Sequence, residues 1–188
     1  MFKLQGAEFG SGVNQVLADV SLKLVRTYKG EINRTQTGEI ATFPNSFVTV
    51  GFDLRFVGTR ATLREIERIF LSSDIVEIEF DFGGTALKGK FSCTSNTMNE
   101  MHAKADGMLE LLISVVSDGT EITKPDGSGF NVTVDMGVPV YATEAEEKCY
   151  YGRVYKLKAA YAGYKDAFGC TQPDGKLLVL GDMQLYAQ

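Results

Sequence analysis

Glu77, Glu79 and Asp81 stand at alternate positions of one apolar run, so they share a face of a strand and form the closest set of carboxylates that could do chemistry. Carboxylates so placed could hold a divalent cation, or divide acid and base roles between them. The chain supplies a simpler use for them. If Gly83 and Gly84 are the two central residues of a tight turn, a hairpin follows in which Glu77 falls opposite Lys90 and Glu79 opposite Lys88. The acidic face then belongs to cross-strand ion pairs, each contributing about 0.2–1 kcal/mol. Glu144, Glu146 and Glu147 read as a solvated face, because calcium loops need a DxDxDG-type spacing that they lack.

The remaining reactive types are scattered. His102 is the only histidine, and no serine or cysteine in a nucleophile-elbow context accompanies it, so it reads as a solvated surface side chain. The chain contains no GxGxxG or Walker pattern, and the GSG at 127–129 completes a PDG turn. Cys93, Cys149 and Cys170 show no CxxC spacing and read as reduced thiols, with Cys149 and Cys170 able to pair in an oxidising setting. Tyr150, Tyr151, Tyr155, Tyr161 and Tyr164 fit either a stacking platform for a sugar or ordinary sheet packing. No catalytic, cofactor-binding or metal-binding residue is assigned, and the expectation is a protein that is not an enzyme and needs no cofactor.

Composition frames what must position these groups. The chain has 188 residues, 44% hydrophobic and 23% charged, enough for a self-sufficient globular core. Twenty glycines against four prolines, with many valines, phenylalanines and tyrosines, favour short strands joined by tight turns. The net charge of −5 is spread along the chain with no basic run, which argues against gripping a phosphate backbone. The longest apolar stretch, 108–116, is interrupted by Glu110 and too short to cross a bilayer, so no membrane partner is expected. MFKLQGAEFGSG lacks a cationic region followed by a sustained apolar one, so synthesis in the cytoplasm is expected.

Along the chain, after a flexible-looking start, Val20, Leu22 and Leu24 alternate with polar residues, and this strand is expected to end near Arg26. The polar text 27–45 has no sustained period and reads as a long arm. Val48, Val50, Phe52, Leu54 and Phe56 give the cleanest alternation in the chain. Leu63, Ile66, Ile69 and Phe70 form one helical stripe, with Thr62 and Glu65 at capping-box spacing, predicting an amphipathic helix at about 62–72. The hairpin 76–91 then sets Val76 opposite Phe91, Phe80 opposite Leu87 and Phe82 opposite Thr85. After a mixed link, Leu109, Leu111, Ile113 and Val115 face one side of another strand. Residues 120–188 form a second, β-rich group with short strands and two PDG turns. The fold class is mainly β, as antiparallel strands in a sandwich or barrel with one helix, divided into a core 1–119 and an extension 120–188 packed on it.

The words RTYKGEINRTQTGEIATFPNSFVTVGFDLRF, TLREIERIF, VEIEFDFGG and ALKGKFSC carry a resemblance. Their order of glycine-containing arm, alternating strand, helix and acidic hairpin resembles the tail-tube fold of bacteriophage tail tube, distal tail and baseplate proteins, over about the first 120 residues. The resemblance implies a tail-tube-like barrel and a virion structural protein. It also implies a ring of identical subunits, hexameric, that meets neighbouring tail proteins and lets DNA pass without specific binding. In that setting Ile32, Arg34, Thr35, Ile40 and Phe43 would anchor the arm on an adjacent subunit. A reading from another class is a secreted β-sandwich module that binds carbohydrate through the tyrosine-rich half.

Overall fold

The computed structural model describes residues 2–10, 17–28, 33–34, 40–41, 46–100, 108–117, 121–146, 148–167 and 175–187. The protein is mainly β with one α-helix. In chain order the strands are β1 (Phe2–Leu4), β2 (Ala7–Phe9), β3 (Leu17–Tyr28), β4 (Asn33–Arg34), β5 (Ile40–Ala41) and β6 (Ser46–Thr59), followed by helix α1 (Arg60–Ser72). Then come β7 (Val76–Phe82), β8 (Thr85–Glu100), β9 (Met108–Ser117), β10 (Val132–Asp135), β11 (Pro139–Tyr141), β12 (Val154–Lys156), β13 (Lys176–Leu178) and β14 (Met183–Leu185). Seven of them form one sheet in the order β2-β1-β7-β8-β9-β6-β3.

The alternation that predicts β6 and β9 is what builds the core. Phe52, Leu54 and Phe56 of β6 and Leu109, Leu111, Ile113 and Val115 of β9 are all buried. They lie on one face of paired strands, Leu54 beside Ile113 and Phe56 beside Leu111. β1 and β6 stand four places apart in the sheet, which would separate them by roughly 19 Å if the sheet were flat. The rings of Phe2 and Phe56 instead meet edge-on with centroids 5.0 Å apart, and Phe52 meets Phe80 at 4.7 Å. The sheet is therefore curled over its own apolar face. Its outer strands β2 and β3 line one common cleft yet occupy opposite ends of the strand order, and among the described residues no closed barrel forms.

The hairpin β7–β8 has the register derived from its turn, with Glu77 opposite Lys90, Glu79 opposite Lys88 and Phe82 opposite Thr85. Gly83 and Gly84 carry φ of 59° and 80°, the left-handed values that a type I′ turn demands at both central positions. The salt links differ from the opposed pairs. Lys88 Nζ lies 3.2 Å from Glu77 Oε1, a diagonal contact, while Glu79 Oε1 accepts from Lys3 Nζ at 2.7 Å. β1 is the cause, because it lies along β7 and places Lys3 directly opposite Glu79.

Several boundaries differ from the sequence reading. The start of the chain is a short β1–β2 hairpin hydrogen-bonded to β7, not an irregular lead-in. α1 begins at Arg60 rather than near Thr62, because Thr59 is the N-cap and its Oγ1 accepts the Thr62 N–H at 3.4 Å. The link after β8 is shorter than it looks: β8 runs on to Glu100 against β9, with a bulge at Cys93/Ser95.

Residues beyond 120 add small sheets, β11-β10-β14 and β12-β13, that share one hydrophobic cluster with the large sheet. Tyr151 joins the two parts, its ring 6.4 Å from Phe52 and 6.1 Å from Phe130. Gly152 follows it in a left-handed conformation, packed directly on Val50.

Candidate assembly surfaces

Several of the groups singled out for chemistry are engaged structurally. Glu77 and Glu79 have the lysine partners just described, and Glu144 and Glu146 pair with Lys156 and Lys158 at 3.1 and 3.2 Å. His102, Glu147 and Cys170 lie outside the described residues. Cys149 is buried, shares a 3.2 Å contact with the Thr143 hydroxyl, and burial pushes its thiol pKa up, away from the reactive thiolate. Asp126 closes the PDG turn by accepting from the Ser128 N–H and hydroxyl, which holds its carboxyl below the usual range. Among the described residues no cluster of three metal-ligating side chains occurs.

The five tyrosines do not make one platform. Tyr151 is in the core, where burial pushes its phenol pKa up to about 12. The Tyr155 hydroxyl accepts from the Tyr150 N–H at 2.8 Å, and Tyr161 and Tyr164 pack edge-on to each other while half-buried. The Tyr150 hydroxyl bonds to Glu121, which raises its pKa.

Two features of the large sheet stand out. The first is its β3 edge. β3 pairs with β6 over twelve residues, from Leu17↔Val57 to Tyr28↔Ser46, and no other strand pairs with it among the described residues. Among the described residues the pairing of β6 with β9 begins at Gly51, while its pairing with β3 continues out to Ser46. Part of what reads as an irregular arm is therefore strand: Thr27 and Tyr28 belong to β3, and Arg34 pairs with Ile40 in the β4–β5 ladder. Ile32, Thr35 and Phe43 lie outside the described residues.

The second is the outer face of β3, β6, β9 and β8. The register aligns Ser21, Asp53, Ser114 and Ser95 in one row and Asp19, Arg55, Leu112 and Thr97 in the next. Ser114 Oγ donates to Asp53 Oδ1 at 2.6 Å, and Arg55 Nε donates to Glu110 Oε1 at 2.6 Å. The Arg55 hydrogen bond is the chief reason the Glu110 carboxyl titrates below its ordinary value. Asp19, Asp53 and Glu110 share this face with Arg55 and, by strand alternation, with Lys88 and Lys90 of β8, and hydroxyl side chains lie among them. Sequence alone marks Asp53 and Arg55 as outward-facing; the rows that join them to β8 and β9 depend on long-range register.

No known family model matches this chain, and no curated protein is similar to it in sequence. Two solved structures are similar at a coarse level. One is a chain from the tail of an empty gene transfer agent particle, resolved by helical refinement with C6 symmetry; it is 18% identical over 58% of this chain and 78% of its own, with a TM-score of 0.33. The other is a chain from the virion of a native gene transfer agent particle, 15% identical over 60% of this chain and 84% of its own, with a TM-score of 0.32. Likeness at that level does not bear on what this chain does.

Proposed function

We propose that the protein is a structural, non-catalytic subunit of a phage tail. It assembles with copies of itself, as a hexameric ring, and with neighbouring tail proteins at the tail tube, tail tip or baseplate. The observation that carries this reading is the twelve-residue β3 edge, which among the described residues has no strand on its far side and so offers an open ladder to another strand. A ring that pairs each edge with the next subunit removes that hazard. The β4–β5 ladder between β3 and β6 in the chain, in which Arg34 pairs with Ile40, supplies a second contact.

The polar outer face suits the wall of a channel through which DNA moves. Its carboxylates at Asp19, Asp53 and Glu110 repel phosphate, and its short hydroxyl side chains hydrogen-bond to water rather than to a passing polymer. The resemblance of the first 120 residues to tail-tube proteins points the same way. Size-exclusion chromatography with light scattering, followed by negative-stain imaging, tests the proposal. Rings or short tubes support it, and a monomer whose mass is independent of concentration refutes it.

A further inference from the structure

β9 stops short of both its neighbours. It ends at Ser117, opposite Phe91 of β8, and its pairing with β6 reaches Gly51, opposite Val116. Past that row β8 continues to Thr85 and β6 to Ser46, and among the described residues no strand of the large sheet lies between them there. This part of β6 keeps β3 along its other side, Val50 opposite Leu24 and Ser46 opposite Tyr28. A two-stranded ribbon is marginal by itself, so the Leu24–Tyr28 end of the β3 edge depends on what else holds β6.

The extension spans that notch from one side to the other. On the β8 side, the Lys88 N–H donates to Thr123 O at 2.8 Å and the Thr123 N–H to Lys88 O at 2.9 Å. Ile122 packs on Gly89, where an added Cβ would stand 3.1 Å from Ile122 Cγ1. Ile122 O in turn accepts the Tyr151 N–H at 3.1 Å, and the Gly152 N–H donates to Val179 O at 2.7 Å. On the β6 side, the Tyr151 ring lies 6.4 Å from Phe52, and Gly152 lies directly on Val50. Val50, one residue past the β9 pairing, is only 4% exposed. Only glycine lets a backbone come this close to the valine, so position 152 is fitted to this contact. A continuous path of hydrogen bonds and packing thus runs from β8 through 122–123 and 151–152 to the part of β6 that β9 does not reach.

We infer that the extension is a brace for the assembly edge: through Gly152 on Val50 it holds the Ser46–Val50 part of β6, and with it the Leu24–Tyr28 end of β3, where a neighbouring subunit's strand must meet it. An edge ordered beforehand binds without the cost of ordering it. If loss of the brace leaves about a tenth of the molecules with the edge in place, assembly weakens about tenfold. This inference rests on the proposed assembling role, to which it adds a task for residues 121–188 and the residue pair that performs it.

Moving a methyl group across the contact tests it. Val50→Ala withdraws the β6 side chain from Gly152, and Gly152→Ala drives a methyl into Val50. Each should raise the concentration for half-assembly, read by light scattering, by about tenfold. Combined, they put the new methyl into the space the valine gives up, and assembly should return to within about threefold of the unmodified protein. In dissociated protein, the amides of 24–28 and 46–50 should accelerate in hydrogen exchange by about tenfold more than those of β7 and β9 in either single variant. Leu109→Ala, at the far end of β9 opposite Gly58, lowers stability without touching the brace. Its assembly, scaled to the folded fraction that thermal melts give, should match the unmodified protein. Single variants that assemble like the unmodified protein, a combination no better than the singles, or exchange that accelerates equally in every strand would each overturn the brace and leave the tail reading standing. So would a Leu109→Ala protein that assembles as poorly as Val50→Ala. An unmodified protein that never assembles overturns both.

Discussion

Replacing Gly152 with alanine probes the seam between the large sheet and the extension. A Cβ at this position would lie 2.0 Å from Val50 Cγ2, closer than two carbon atoms can approach, and Gly152 has φ of +76°. Two costs follow. Holding an alanine in the left-handed region costs about 1–2 kcal/mol, and forcing a methyl group into a filled site costs about 1–3 kcal/mol. The site cannot relax easily, because the Gly152 N–H donates to Val179 O at 2.7 Å and the preceding Tyr151 ring is wedged between Phe52 and Phe130. Gly152→Ala should therefore destabilise the protein by about 2–5 kcal/mol, read as a fall in the urea midpoint. Adding Val50→Ala removes the offending methyl, while Val50 Cβ stands 3.4 Å from the new atom. The double variant should then be less destabilised than the sum of the singles by about 1–3 kcal/mol, the steric share alone. A Gly152→Ala protein within about 0.5 kcal/mol of the original, or strict additivity in the double variant, would show that the extension is not seated on Val50 as described.

Four further outcomes are expected. Phe52→Ala, which empties the meeting point of Phe80, Phe82, Phe91 and Tyr151, should cost about 3–5 kcal/mol in equilibrium unfolding. Gly83→Asn should change stability by less than about 0.5 kcal/mol because Asn-Gly suits a type I′ turn, whereas Gly84→Val should cost about 1–2 kcal/mol. Glu110 has a folded-state pKa held below its ordinary value of 4.5, so its contribution is present above that value and lost as the pH falls through the folded-state one. Arg55→Gln should accordingly flatten the acid side of a stability profile by slightly lowering stability above about pH 4.5 and leaving it unchanged in stronger acid, a small effect because the pair is at the surface. Replacing residues 29–45 with a two-residue Asn-Gly turn should preserve cooperative melting and abolish assembly in light scattering; loss of the melt would make that segment part of the core.

What could be read from the sequence depended on how many local signals agreed. In the hairpin 76–91 the turn glycines, the apolar pairs and the charge pairs all required one register, and that register forms. β6 was legible by alternation, but its end was not, because strand passes into helix at Thr59 without a linker. Thr62 and Glu65 have the spacing of a capping box, yet Thr62 is the residue being capped. β1 and β2 escaped because three residues each, FKL and AEF, are too few to display a period. The partner of Glu79 escaped with them. The polar rows of the outer face are a different case, since Ser21, Asp53, Ser114 and Ser95 come from strands far apart in the chain and meet only through register.

Strand length explains why the sheet stays open. β2 has three residues and β3 has twelve, so even a perfect ladder between them would leave nine residues of β3 without a partner (12 − 3 = 9). Curling further could not close the sheet, and the remaining edge is too long for a side chain or a turn to cover. A second polypeptide can cover it, and the pairing should register in hydrogen exchange. In assembled protein the β3 amides whose N–H groups point away from β6 should exchange much more slowly than in dissociated protein, while those bonded to β6 should change little. Equal protection of both sets on assembly would mean that β3 is shielded as a whole rather than extended by a new strand, and the edge would lose its place as the main contact.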